Sequence, residues 1–267
     1  MAVHFQGYQV AYPNSHKSRF RQIPLQPEFT FTDPLLGDKD SMLQKTKAIS
    51  LSYIRYKESS IIARLFTEQF GLQSFVVNGV RSPKSKMPAG LFQPLQLLEI
   101  VQYYNEKKDL HRLVEIKPAL PLIDLPFNHV KSSLAIFIAE LISKVVREGQ
   151  SNGLLFELVW NWTFKLDAQK FGLESAHIQL VWQILQPLGI TPERWQDFFE
   201  LSSYQKYFSL EDGNLYFKSL SSETETLYQI GNAARQAILD ALLAYLQKHM
   251  EGLGQLNSLP ILRDVFR

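Results

Sequence analysis

Five short segments that alternate between apolar and polar residues lie close together in the first half of the chain. They constrain the fold more than any other feature, because no long helical pattern separates them. Closely spaced short strands are typical of small antiparallel barrels. The segments are Thr46–Ile54, Ser60–Thr67, Gln73–Val77, Phe92–Tyr104 and Leu110–Ile116. The sequence therefore predicts a five-stranded barrel over residues 42–118, for which the OB-fold is the best-known example.

A basic loop follows the third of these segments. Residues 71–90 contain Arg81, Lys84 and Lys86 but no Asp or Glu, and two prolines oppose regular structure within the loop. A strand that ends in a basic loop without acidic residues is a natural place to hold phosphates. We therefore expect this loop to contribute to a nucleic-acid site on the barrel.

Positive charge is concentrated in the predicted barrel. Between Met42 and Met87, eight Lys and Arg residues face two acidic ones, whereas from Phe127 onward twelve basic residues face fifteen acidic ones. A local excess of this size attracts polyanions. The predicted phosphate-binding residues are Lys45, Lys47, Arg55, Lys57, Arg64, Arg81, Lys84 and Lys86.

Aromatic residues are interleaved with this basic cluster. Tyr53, Tyr56, Phe66 and Phe75 could supply faces on which bases stack. The alternative is that they fill the interior of the barrel, as residues on barrel strands must do. The sequence leaves both interpretations open for each residue.

The second half of the chain has helical spacing after a proline-rich connector that begins at Lys117. The predicted helices are Val130–Glu148, Leu154–Asp167, Glu174–Leu188, a short one that begins after Thr191, and Thr226–His249. Tyr204–Phe217 instead predicts a β-hairpin around an Asp-Gly turn. The predicted class is α+β, with a barrel at 42–118 and a helical domain at 119–267 that carries the hairpin at about 204–217.

Residues 1–41 differ from the rest of the chain. Prolines punctuate them, and no helical or alternating periodicity is sustained. One interpretation is that Met42 is the biological start and that the preceding residues come from an upstream start. The other is a weakly ordered arm that packs through Phe29 and Phe31.

The sequence offers no positive case for an enzyme, a metal site or a cofactor site. It has no cysteine, which excludes disulfides and thiolate metal sites and agrees with a reducing cytoplasm. Its six histidines do not stand at ligand spacing, and no G-x-S-x-G nucleophile elbow occurs. No segment is apolar over the length needed to cross a membrane. We expect no catalytic and no metal-binding residue.

Two basic residues of the first predicted helix suggest a docking site. Lys144 and Arg147 lie one turn apart beside the apolar stripe of this helix, where they could receive an acidic peptide with hydrophobic residues. An ordinary exposed edge of an amphipathic helix is the alternative.

Several motifs in order resemble the RecO family of recombination mediators. MLQKTKAISLSYIRYKESSIIARLFTEQFG is followed by SFVVNGVRSPKSK, LFQPLQLLEI and KDLHRLVEIKP, and the chain closes with SLPILRDVFR. The resemblance covers residues 42–267 and is strongest over 42–118. It implies an OB-fold followed by a helical domain with a zinc-finger-like insert. Many members carry four cysteines around that insert, and their absence here predicts a hairpin without zinc.

The resemblance also implies function and partners. It implies binding of single- and double-stranded DNA, annealing of complementary strands, partnership with RecR, and loading of RecA on DNA coated by single-stranded DNA-binding protein. The basic residues of the barrel fall in the DNA-binding region of the family. Lys144 and Arg147 fall near the region that receives the acidic tail of the single-stranded DNA-binding protein. The implied location is the bacterial cytoplasm.

From the residues alone, two other functions stay open. An RNA-binding OB-fold protein would share the basic barrel, and competition between DNA and RNA of one sequence would separate the two. A protein–protein adaptor could present the same barrel to an acidic partner. Such an adaptor would show little affinity for a bare oligonucleotide.

Overall fold

A computed structural model describes residues 42–80, 82, 85–192, 208–211, 214–217 and 231–267. The predictions for residues 1–41, for Arg81 and Lys84, and for the helix after Thr191 lie outside the described residues.

Five strands close into a barrel at the start of the described chain. The sheet order is β1-β2-β3-β5-β4, with β1 returning to β4. All neighbours are antiparallel except β3 and β5, which run parallel from the Ser74–Leu110 pair. The strands are β1 (Met42–Tyr56), β2 (Ser60–Thr67), β3 (Gly71–Val77), β4 (Leu97–Tyr104) and β5 (Leu110–Pro118). This arrangement confirms the predicted five-stranded, OB-like barrel.

The fourth strand begins later than predicted. Residues Ala89–Phe92 form a short 3-10 helix, and β4 starts only at Leu97. Phe92 is fully buried against the barrel interior, so its apolar character reflects packing in the barrel core and not membership of a strand. A period-two pattern does not distinguish these two causes.

Alternate residues of the strands fill the barrel. The interior is formed by Ala48, Ile61, Ala63, Leu65, Phe75, Val77, Leu98, Ile100 and Leu113. Two buried glutamines also lie inside, and Gln102 Nε2 donates a 2.9 Å hydrogen bond to Gln73 Oε1.

Helices follow the barrel, as predicted for the α+β class. The elements are α1 (His129–Val145), α2 (Gly153–Ala168), α3 (Leu173–Gln183), α4 (Asn232–His249) and α5 (Leu259–Val265). Asn128 caps α1 by accepting from the amides of Val130 and Lys131. The predicted end of α3 was too late, because Pro187 disfavours helical backbone in the residue before it.

The hairpin in the helical half is confirmed. Strands β6 (Phe208–Glu211) and β7 (Asn214–Phe217) pair antiparallel, and Glu211 stands opposite Asn214. This register is the one that the Asp-Gly sequence predicts.

The outer surface of the barrel packs directly on the helices. Phe66 of β2 meets Phe156 of α2 edge to face, with ring centroids 5.3 Å apart. Leu72 forms a backbone bridge with Glu148, just beyond α1, and its carbonyl accepts from the amide of Gly149. This bridge explains why α1 ends at Val145 and not at the predicted Glu148.

The connector between barrel and helices is held by one carboxylate. Asp167 of α2 accepts hydrogen bonds from the amides of Ile123, Asp124 and Leu125 at 2.7–3.0 Å. The buried ammonium of Lys131 also pairs with Asp124 at 2.7 Å. Within the described residues, no helix has both the length and the apolarity needed to span a bilayer.

Candidate nucleic-acid interface

The six predicted phosphate-binding residues that the structure describes do not form a single surface. Lys45 lies on the β1–β4 face, where its ammonium is 3.1 Å from the Glu99 carboxylate. Lys117 of β5 reaches the same carboxylate at 3.2 Å. Hydrogen bonds from Lys45 and Lys117 hold the pKa of Glu99 below its ordinary value. Part of the positive charge of Lys45 is therefore neutralised within the barrel.

Two further predicted residues face the helices. Lys47 is 3.5 Å from the Glu68 carboxylate, and its ammonium lies 5.6 Å from the ring centre of Trp160. Arg64 of β2 donates a 3.0 Å hydrogen bond to Glu148. Both side chains thus have partners inside the protein, which the charge count along the sequence does not reveal.

Three other predicted residues are exposed. Arg55 and Lys57 lie at the β1–β2 turn, and Lys86 lies in the loop after β3. Lys57 has a left-handed backbone with φ 53°, and its ammonium lies over the ring of Tyr56. Among the described residues, no carboxylate lies within ion-pair distance of these three side chains.

One row of outward-facing residues crosses four neighbouring strands. Ile54 stands opposite Ile62, which stands opposite Val76, which pairs with Arg112 of β5. Ile54 is 63% exposed, and Arg112 is exposed with no ion pair among the described residues. The row joins the β1–β2 turn to β5 and is called the outer row below.

The sequence count missed the basic residues at the far end of this surface. Arg112 lies on β5, and Lys107 and Lys108 lie in the β4–β5 turn. The count ended at Met87 and so left out the last two strands. The pairing of β5 with β3 places Arg112 in the outer row, whereas Lys107 and Lys108 lie at the end of the barrel remote from the β1–β2 turn. The sequence did contain a sign of Arg112, because it occupies a polar position of the fifth alternating segment and should therefore face outward.

The four aromatic candidates differ in how deeply their rings are buried. Phe66 and Phe75 are fully buried, so the interpretation that they stack on bases is wrong. Tyr53 is half-buried and packs against the barrel interior. Tyr56 is 38% exposed at the β1–β2 turn and is the most exposed of the four.

The two predicted docking residues have different surroundings. The ammonium of Lys144 contacts the backbone carbonyl of Gln255 and lies 3.6 Å from Glu140. Burial opposes ionisation of Glu140, but hydrogen bonds from Ser258 and Asn257 outweigh it and lower the pKa of this carboxyl. Lys144 therefore helps to hold the segment before α5 in place.

Arg147 is exposed at the rim of a cavity of about 250 Å³. Apolar side chains of Val146, Leu188 and Met250 line this cavity, and His249 is the other basic residue in its wall. The cavity therefore combines an apolar lining with two basic groups. In the described parts of the chain, no three His, Asp or Glu side chains come together as a metal site.

Comparison with known proteins identifies the family. Residues 42–121 match the family model described as the N-terminal part of recombination protein O. The chain is 32% identical over 241 residues to the DNA repair protein RecO of Flavobacterium psychrophilum, covering 83% of this chain and 98% of that one. The chain belongs to the RecO family. The RecO proteins of Azobacteroides pseudotrichonymphae and Bacteroides fragilis are each 28% identical and are matched over their full length.

Family membership confirms several predictions. The chain is a DNA repair and recombination protein, and the RecO family consists of mediators and not of enzymes. The family model coincides with the closed barrel that carries the outer row. The individual DNA-binding residues stay predictions.

Proposed function

We propose that this RecO chain binds single- and double-stranded DNA on its barrel, anneals complementary strands, and acts with RecR to load RecA on DNA coated by single-stranded DNA-binding protein. The outer row supports this proposal most directly, because it runs from the β1–β2 turn to Arg112 across the surface that OB-folds use for oligonucleotides. In this proposal residues 42–118 are the DNA-binding domain and residues 119–267 support it and receive protein partners.

The main contribution to the proposed binding is electrostatic and comes from the phosphates, which carry no sequence information. Arg55, Lys57, Lys86 and Arg112 neutralise phosphates, while Ile54 and its apolar neighbours contact the sugars and bases of the strand. Neutralised strands no longer repel each other, so two complementary strands held on one protein can pair. Arg81 and Lys84 belong to the same loop as Lys86 and are proposed to extend the surface. Lys45, Lys47 and Arg64 contribute less, since each has an internal partner.

Charge reversal at Arg112 of the outer row and at the adjoining β1–β2 turn tests this function. The triple variant Arg55→Glu, Lys57→Glu, Arg112→Glu is expected to lose at least about tenfold in affinity for single-stranded DNA at moderate salt. Its affinity should also depend less steeply on salt, because each lost phosphate contact removes about 0.7 from the slope of log K against log salt. Annealing of complementary oligonucleotides should be lost with it.

A control with the same change in charge keeps this test specific. Lys165, Lys170 and Lys248 are exposed on the helical part, and their reversal to Glu changes net charge equally. Equal loss of affinity in both triple variants would show that total charge, and not the outer row, determines binding. No DNA binding by the unmodified protein at low salt would contradict the proposed function itself.

We also propose that the cavity beside Arg147 receives the acidic, hydrophobic tail of single-stranded DNA-binding protein. An apolar floor next to Arg147 and His249 suits a peptide that combines carboxylates with large apolar side chains. Lys144 has a structural role in this proposal, because its ammonium already contacts Gln255 and Glu140.

Two single variants test the docking site. Arg147→Glu is expected to weaken binding of a synthetic tail peptide by about tenfold or more, since it places a like charge beside the carboxylates of the tail. Lys144→Met should keep peptide affinity within about twofold while lowering the free energy of unfolding by about 1 kcal/mol. Titration calorimetry and urea unfolding measure the two quantities. Weaker peptide binding by Lys144→Met but not by Arg147→Glu would place the docking site at Lys144 and contradict the proposed cavity.

A further inference from the structure

A recess opens beside the β4–β5 turn, at the end of the barrel surface remote from the β1–β2 turn. Its volume is about 200 Å³. Its wall includes Ser74, Asn105, Glu106, Asp109, His111 and Glu148. Because Ser74 pairs with Leu110, two residues before Arg112, the recess adjoins the outer row.

Stacked rings make one side of this recess rigid. Tyr104 lies between Phe70, with ring centroids 4.1 Å apart, and His111, with ring centroids 5.6 Å apart and an angle of 14° between the planes. The imidazole also packs on Phe75 of the barrel interior. A wall held in this way is formed before any ligand arrives, which lowers the entropic cost of binding.

The imidazole at this wall has unused hydrogen-bonding capacity. His111 is 8% exposed, and within the described residues its Nδ1 has no hydrogen-bond partner. Buried polar atoms without a partner are uncommon in native proteins and call for an explanation such as a bound molecule. Burial lowers the pKa of His111, so the ring is neutral at neutral pH and offers one donor and one acceptor.

The charges around the recess determine what enters it. Three carboxylates line it, those of Glu106, Asp109 and Glu148, against the ammonium of Lys108. Glu148 is already paired with Arg64, so Glu106 and Asp109 are the carboxylates proposed to accept from a ligand. Such a lining repels a phosphate but accepts hydrogen bonds from N–H groups. Cytosine, adenine and guanine each carry an exocyclic amino group, whereas thymine carries none.

We propose that this recess receives one unstacked, amino-bearing base of a DNA single strand that is held along the outer row. This inference rests on the proposed function, because the strand must first be held beside Arg112. A base of a single strand leaves its neighbours at low cost, since no base pair has to open. Thymine offers only its ring N–H, which lies between two carbonyl oxygens that the carboxylates repel, and this disfavours it.

Single-base substitution in an oligothymidylate tests the recess. Replacing one central thymine by cytosine or adenine is expected to raise affinity by about fivefold, as for one well-made contact to a base edge. The variants Glu106→Gln and Asp109→Asn should reduce this preference to within about twofold. Glu115→Gln is the matched control, because Glu115 is an exposed carboxylate on the same sheet that does not line the recess, and it should keep the preference.

The outcomes separate the recess from the proposed function. Tight binding of oligothymidylate without any base preference overturns the recess and leaves DNA binding intact, whereas no binding of any oligonucleotide overturns both. Nitrogen NMR of the His111 side chain provides a second readout in the unmodified protein. Its signals should shift with deoxycytidine and not with thymidine. A shift with arginine amide alone would instead assign the recess to a basic side chain of a protein partner and overturn the proposal.

Discussion

The guanidinium of Arg64 on β2 donates a 3.0 Å hydrogen bond to the carboxylate of Glu148, which lies just after α1. The same segment carries the backbone bridge from Glu148 to Leu72 of β3. A side-chain contact and a main-chain contact therefore join the barrel to the helices at one place. The ion pair also gives a basic side chain of the barrel surface a partner inside the protein.

Releasing Arg64 should strengthen DNA binding. In Glu148→Gln the guanidinium loses its ionic partner and becomes available to a phosphate, so affinity for oligothymidylate is expected to rise about two- to fivefold at low salt. Stability should fall by less than about 1 kcal/mol, because the pair is partly exposed. Fluorescence anisotropy and urea unfolding measure the two effects. Glu157→Gln, an exposed carboxylate of α2, is the control, and an equal gain there would mean that only net charge matters.

A side chain at Gly71 should destabilise the contact between barrel and helices. Gly71 has φ +68°, and a Cβ there would lie 2.1 Å from the carbonyl oxygen of Gln150. Gly71→Ala is therefore expected to lower the free energy of unfolding by about 3 kcal/mol, combining left-handed strain with a backbone clash.

Gly79 provides the matched control for this prediction. It has nearly the same conformation, φ +69°, but a Cβ added there would have no atom within 4 Å. Gly79→Ala should cost only about 1 kcal/mol, from backbone strain alone. Urea unfolding of both variants gives the comparison. If both variants lost the same free energy of unfolding, the close approach of Gln150 to Gly71 would not contribute to the effect.

Reversal of the basic loop should separate annealing from folding. The variant Arg81→Glu, Lys84→Glu, Lys86→Glu is expected to abolish annealing of complementary strands. It should change the free energy of unfolding by less than about 1 kcal/mol, since single surface charges generally contribute little to stability. A strand-annealing assay and circular dichroism check the two halves. Normal annealing by this variant would remove the loop from the mechanism.

Acid should destabilise the helical part through His177. Burial, with Arg235 as a smaller cause, lowers the pKa of His177 to about 3. Because the unfolded chain takes up this proton near its ordinary pKa of about 6.5, the stabilising contribution is complete above that pH. It is lost by about 1.4 kcal/mol per pH unit as the pH falls from about 6.5 toward 3.

Replacing His177 by an aromatic residue that cannot be protonated tests whether this group causes the acid sensitivity. His177 stacks on Phe266 and meets Phe137 edge to face, so His177→Phe keeps an aromatic ring in this position. The free energy of unfolding is measured in urea at about pH 7 and about pH 5. Its decrease between these two pH values should be roughly 2 kcal/mol smaller for the variant than for the unmodified protein. The same loss in both proteins would assign the acid sensitivity to other groups.

Local patterns in the sequence were sufficient for the class of fold. The alternation in Ser60–Thr67 and Leu110–Ile116 predicted strands that the structure contains, and the Asp-Gly turn predicted the hairpin register. Such patterns depend on residues that are near each other in the chain. The apolar segment from Phe92 misled for the same reason, since burial in the barrel core and membership of a strand give the same pattern there.

By itself the sequence determined that a basic five-stranded barrel precedes a helical region and that cysteine chemistry is excluded. Only the tertiary structure decided which basic side chains remain exposed. Lys45 meets Glu99 and Arg64 meets Glu148 across long stretches of chain, whereas Arg112 joins the outer row through its pairing with Val76. The physical reason is that charge composition is a property of a segment, while screening and register arise from pairing between distant segments.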